Sequence, residues 1–143
     1  MPSSIVNGWH TLRPAILAQL TAITQFAFVD DKFTEDVAGY PAIMFEPSTD
    51  PSDFATNRED MHTYTFNIYI LQEMEKVGRD EAVRILASAV DAVTYSFLND
   101  DTIGGACLFS KPVPSEWGEA ITGHGMAKWA KLTLKCVVLH EIT

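Results

Sequence analysis

Two segments of the chain carry apolar residues at helical spacing, two more carry them at every second position, and these four set the frame. Ile16, Leu17, Leu20 and Ile23 form one helical stripe; with Thr11 as cap and Pro14 in the first turn they predict a helix over Leu12 to Thr24. Val83, Leu86, Ala87, Val90, Val93, Thr94 and Phe97 form the other, opened by Asp80 after Gly78 and ending near Asn99. Strict alternation runs from His62 to Gln72. There Tyr64, Phe66, Ile68 and Ile70 share one face, with Thr63, Thr65, Asn67, Tyr69 and Leu71 on the other. A long last strand is predicted over Ala127 to His140, with Ala130, Leu132, Leu134, Cys136 and Val138 inward and Trp129, Lys131, Thr133 and Lys135 outward.

Shorter apolar runs at Phe26 to Phe33, Tyr40 to Glu46 and Ile103 to Ser110 read as further strands. Two stretches rich in turn-forming residues, Pro47 to Asp60 and Lys111 to Gly125, read as a long exposed loop and a mobile segment. The order of elements lacks a βαβ rhythm. The expected fold is therefore α+β, an antiparallel or mixed β-sheet with two amphipathic helices packed on one face, as one domain over residues 1–143. The opposite sheet face would be only partly covered. Tyr69, Leu71, Trp129 and Val137 on it are more apolar than a solvated face requires, which points to a partner.

Composition narrows the function. A chain of 143 residues holds one core, and 47% hydrophobic with 20% charged residues excludes disorder and fibrous repeats. Nineteen acidic against ten basic side chains give a net charge of -9, which argues against gripping a phosphate backbone. A wall that DNA slides past gains from the same repulsion. Apolar runs such as Cys136 to Leu139 fall far short of the roughly 20 residues that cross a bilayer, so no membrane partner is expected. Met1 to His10 lacks a secretory pattern, which implies cytoplasmic synthesis and reduced thiols. Cys107 and Cys136 then read as small buried hydrophobes, with a disulfide open to them only if their strands are neighbours.

No nucleophile elbow, phosphate loop, zinc-protease helix or C-x-x-C motif is present. His10, His62, His124 and His140 fall one to a segment, the spacing of surface or capping residues and not of a local metal motif. Asp30, Asp31, Glu35 and Asp36 lack the glycine and terminal glutamate of a calcium loop and read as a charged turn. Catalytic, cofactor and metal residues are accordingly expected to be none, and the chain is expected not to be an enzyme. Lys128, Lys131 and Lys135 form the basic cluster, which in so acidic a chain suits an acidic neighbour.

In YPAIMFEPSTD from Tyr40, in Met61 to Phe66 leading into Ile68 to Glu73, in the helix that follows, and in ACLFSKPVPSEWGEA from Ala106, the chain resembles the tail terminator proteins of long-tailed bacteriophages, the lambda tail terminator group. Strand, aromatic and proline placements carry the resemblance, and neighbouring head-tail joining families share them. It implies a homo-oligomeric ring, usually a hexamer, seated on the last ring of the tail tube. Such a ring ends tube growth and joins the tail to the head connector of the virion, after assembly in the bacterial cytoplasm. DNA would pass through its channel without specific binding. The rival readings are a head-completion (neck) or tail-tube protein and, from another class, a small cytosolic enzyme whose groups converge from scattered positions.

Two interfaces are expected. Phe54, Arg58 and Trp117, residue types favoured at binding hot spots, would anchor the two loops to a tube or connector ring, ordering on contact. Trp129, Lys131 and Lys135 on the last strand would meet Asp30, Asp31, Glu35 or Asp36 of the next subunit.

Overall fold

The computed structural model describes residues 8–32, 34, 37, 39–48, 55–56, 61–122 and 125–139. Its elements are α1 (Gly8–Thr21), β1 (Phe28–Asp30), β2 (Ala42–Pro47), β3 (Ala55–Thr56), β4 (Met61–Glu73), α2 (Arg79–Asn99), β5 (Phe109–Thr122) and β6 (Gly125–Leu139). The sheet runs β1-β2-β4-β6-β5, with β3 pairing the start of β4. Only β1 and β2 are parallel, so the sheet is mixed and the fold α+β. The two alternating segments become its centre, β4 and β6, paired from Met61↔Leu139 to Glu73↔Ala127.

One sheet face and both helices bury a common core. Leu12, Ile16 and Leu20 of α1 and Leu86, Val93 and Phe97 of α2 pack with Phe45, Phe66, Ile68, Ile70, Leu132 and Leu134. Each such side chain contributes about 1.5–3 kcal/mol by leaving water. Gln19 ties the helices together, its Nε2 donating to Ser96 O at 3.1 Å.

Several boundaries differ from the sequence reading, each for a local reason. α1 begins at Gly8, so Thr11 lies inside it and Pro14 is past its first turn. The earlier start follows from Trp9, whose ring meets Tyr64 and Phe66 edge-on at 4.7 and 5.1 Å and draws the helix onto the sheet. In α2 the buried line runs through Ala82, Leu86, Ala89, Val93 and Phe97, while Val83 and Ala87 are exposed. Small residues, not the larger valine, face the sheet where the helix lies close. Of the run from Phe26 to Phe33, whose last residue lies outside the described residues, Phe28–Asp30 forms β1, and Pro47 closes β2.

Ile103 to Ser110 is not one strand. Ile103, Gly104 and Gly105 take φ values of 51°, 65° and 89°, a turn held by the Asp100 carboxylate, which accepts the Gly104 N–H at 3.1 Å. Strand structure starts only at Phe109, and within the segment expected to be mobile, Lys111 to Gly125, it continues to Thr122 as β5, with Gly125 opening β6. Within Pro47 to Asp60, Ala55 and Thr56 pair with Thr63 and His62.

The second sheet face, expected to be only partly covered, buries most of its apolar residues. Val37, Ala42, Met44 and Leu71 are buried together, with Phe28, Tyr40, Tyr69 and Trp129 packed around them. Val137 is buried as well. Most of that apolar surplus is thus consumed inside the chain. The Trp129 indole lies over Gly118, where an added Cβ would come within 2.6 Å of the ring. No helix among the described residues is long and apolar enough to cross a membrane.

Candidate functional site

The surface that the fold leaves with surplus chemistry is the β5 edge. Residues Phe109 to Pro114 pair with β6 in one register and Glu116 to Thr122 in another, with an irregularity between Pro114 and Glu116. There the Ser115 hydroxyl donates to Lys131 O at 3.2 Å. Pro112 and Pro114 stand two positions apart, so both missing donors fall on one side of the strand. Continuous pairing with β6 puts that side at the free edge, where proline is tolerated. The same residues bar another strand from adding alongside this half of β5.

What remains available is its outer face. Lys111 stands directly opposite Lys135, with Phe109 and Val113 flanking on the same strand face at 48% and 42% exposure. Like charges opposed across a ladder destabilise it. Neither lysine has an ion-pair partner among the described residues, whereas Lys128 reaches Glu119 at 3.3 Å and Lys131 reaches Glu116 at 3.5 Å. Arg79 also bonds Glu119, and this guanidinium, with Lys128, holds the Glu119 carboxyl below the usual carboxylate range.

The expected interface residues therefore separate. Lys135 is exposed and has no ion-pair partner among the described residues; Lys131 is engaged within its own sheet; Trp129 is half-buried over Gly118. Asp31 pairs with Arg13 at 3.6 Å and its backbone N–H bonds Asp30 Oδ1 at 2.8 Å, so these acids are partly spoken for at the β1 edge, across the sheet from β5. Phe54, Arg58, Glu35 and Asp36 lie outside the described residues. Trp117 sits in β5 opposite Ala130, on the helix-side face and 49% exposed, with Ile121 further along that face at 80%. Its position in a paired strand replaces the reading of a loop anchor that orders on contact.

Sequence reading missed Lys111, Phe109 and Val113. Phe109 was read at the end of a strand, Ile103 to Ser110, while Lys111 and Val113 fell in the segment read as mobile. The structure also sets an acidic surface against the basic one. Asp80, Glu81, Asp91, Asp100 and Asp101 are exposed on α2 and the turn after it, in the opposite layer from the outer sheet face. They outnumber Arg79 and Arg84 of the same helix, Arg84 pairing with Glu81 at 3.4 Å.

Two grooves were candidates for chemistry. One of about 720 Å³ between α1 and α2 is lined by Ala15, Ala18, Ala22 and Tyr95 among others, and one of about 560 Å³ by Tyr40, Gln72, Glu73, Glu75 and Lys76 among others. Neither lining includes a histidine or cysteine. Among the described residues no group of three His, Cys, Asp or Glu is placed to hold a metal. No protein-family profile matches the chain, and no curated protein matches its sequence.

Proposed function

We propose that this chain is a structural protein of a phage tail that assembles into a ring on the head-proximal end of the tail tube, ends tube growth, and joins the tail to the head connector. The observation that carries the assembly part is the polarity of charge. A lysine pair with no ion-pair partner among the described residues, flanked by exposed apolar residues, lies on the sheet layer, and a surface with an acidic excess lies on the helix layer of the same molecule. Complementary patches at two different places on one chain favour a heterologous contact, which closes into a ring when the rotation per subunit allows. The tail-specific part rests on the resemblance of the strand and proline pattern. The net charge of -9 suits a channel wall that DNA passes without adhering.

The test is a tube-growth assay. The full chain is added to polymerising tail tube protein from its own particle, and tube lengths and end structures are read by electron microscopy. Short tubes bearing a terminal ring are expected, and the Lys111→Glu/Lys135→Glu double variant should leave tubes long. Unchanged lengths with wild-type chain would remove the terminator reading. Long polymers of the chain itself would favour the tail-tube rival.

A further inference from the structure

The strand β4 ends in a glutamine and a glutamate, and the fold buries both, Gln72 to 3% and Glu73 to 8% exposure. Gln72 Nε2 donates to Glu73 O at 3.2 Å, but Gln72 Oε1 is enclosed with no hydrogen-bond partner. An acceptor buried without a donor destabilises a fold, so its presence calls for a reason. The hydroxyls of Thr94 and Ser110 share this condition, but neither residue lines either groove. Gln72 does.

The cavity it lines, of about 560 Å³, lies between the end of β4, the residues that lead into β2 and the first turns of α2. That volume suits a small molecule or a long side chain. Val37, Pro41, Val77 and Ile85 give it apolar walls, and Glu75 and Lys76 are its exposed charged residues. The polar side is held in place by the backbone around it. Lys76 N–H donates to Glu73 Oε2 at 2.8 Å, and Met74 N–H to Met126 O at 2.9 Å, which fixes the turn after β4 against β6. Glu75 lies close against that strand, since a Cβ added at Gly125 would come within 2.6 Å of its Cγ. Among the described residues the lining thus offers two carboxylates and an unfilled amide carbonyl against one ammonium. Its surplus is of acceptors and negative charge.

We infer that this cavity binds an organic cation, an alkylguanidinium or alkylammonium group, whose N–H donors meet Gln72 Oε1 and the Glu73 and Glu75 carboxylates while its carbon stem lies along the apolar walls. A guanidinium fits best, because it is planar, rich in donors and weakly hydrated. A bare metal ion fits worse: no group of three His, Cys, Asp or Glu among the described residues is placed to hold one, and apolar walls supply no ligands. An anion would meet the two carboxylates. The net charge of -9 adds a long-range pull on any cation.

The test titrates the isotope-labelled full chain, followed by amide NMR, with butylguanidinium, with its neutral isostere butylurea, and with Nα-acetylarginine methylamide as a stand-in for a protein side chain. Saturable shifts confined to residues 72–77, 39 and 40 and to the Gln72 side-chain amide are expected, with butylurea at least several-fold weaker. Arginine amide binding as tightly as butylguanidinium would assign the site to a partner's side chain, and butylguanidinium binding alone would assign it to a free cation; either supports the inference. Glu75→Gln should weaken binding several-fold, Lys76→Ala should tighten it, and Gln72→Met should abolish it. Shifts that never saturate or that spread over the acidic surface, equal binding of butylurea, or indifference to Glu75→Gln and Lys76→Ala would each overturn it. Those two positions are exposed, so they decide the matter even if the Gln72 variant fails to fold.

Discussion

Replacing Lys135 by glutamate should raise the stability of the isolated chain and weaken its self-association. Opposite signs for the two readouts follow from the geometry. Lys135 faces Lys111 across the β5–β6 ladder with no carboxylate partner among the described residues. A directly opposed charge pair contributes roughly 0.2–1 kcal/mol in either direction, so exchanging repulsion for attraction is worth about 1 kcal/mol. For a chain of this size that is a Tm rise of roughly 3 °C, measured where the protein is monomeric. Both side chains are solvent-exposed, so the gain should largely vanish at about 1 M salt, where the Debye length is roughly 3 Å. Lys135→Gln, which removes the repulsion without adding attraction, should give a smaller rise. Association, read by light scattering at low salt, should fall at least several-fold, because the variant presents a negative charge to an acidic neighbour. A Lys135→Glu protein that melts lower than wild type, or that assembles as well as wild type, would refute the reasoning.

Other expectations follow from single contacts. Phe66→Ala removes a fully buried ring that meets Trp9 and Phe45, and should cost about 3–5 kcal/mol in urea unfolding. Gly118→Ala drives a methyl into the Trp129 indole, so it should lower Tm and shift tryptophan fluorescence; an unchanged spectrum would mean that the two do not touch. The Glu119 pKa is depressed, so its pairing with Arg79 and Lys128 stabilises above the ordinary carboxylate pKa and is lost as pH falls through and below that value. The stability difference between wild type and Glu119→Gln should accordingly be present at neutral pH and shrink on acidification. Trp117→Ala, at a half-exposed site, should leave Tm nearly unchanged while reducing tail joining in a complementation assay.

The legible parts of the fold are those whose hydrophobic period holds along the whole element. In β4 and β6 every second residue meets the helices, so the faces of Tyr64 to Ile70 and of Ala130 to Val138 follow from alternation alone. Leu12, Ile16 and Leu20 likewise mark the buried side of α1. The second sheet face was harder. Tyr69, Leu71 and Trp129 were correctly placed on it, but their cover, including Val37 and Tyr40, comes from a segment with no period of its own. A pattern shows which residues seek burial without showing what buries them.

The lysine pair was hidden for a different reason: it depends on register. Pairing continued unbroken from Thr122↔Gly125 would set Lys111 opposite Cys136, on the core side of the sheet. The irregularity between Pro114 and Glu116 shifts the earlier half of β5 by one residue. That shift turns Lys111 and Phe109 outward, and it puts Pro112 and Pro114 on the helix-side face, Pro112 buried and Pro114 exposed, with their missing donors at the free edge. One extra residue therefore does three things at once. It keeps a charge out of the core, closes half of the edge to strand addition, and brings Lys111 beside Lys135. A one-residue shift flips every side chain of a strand, so the surface on which the proposed assembly depends is set by Ser115 and its neighbours more than by the lysines themselves.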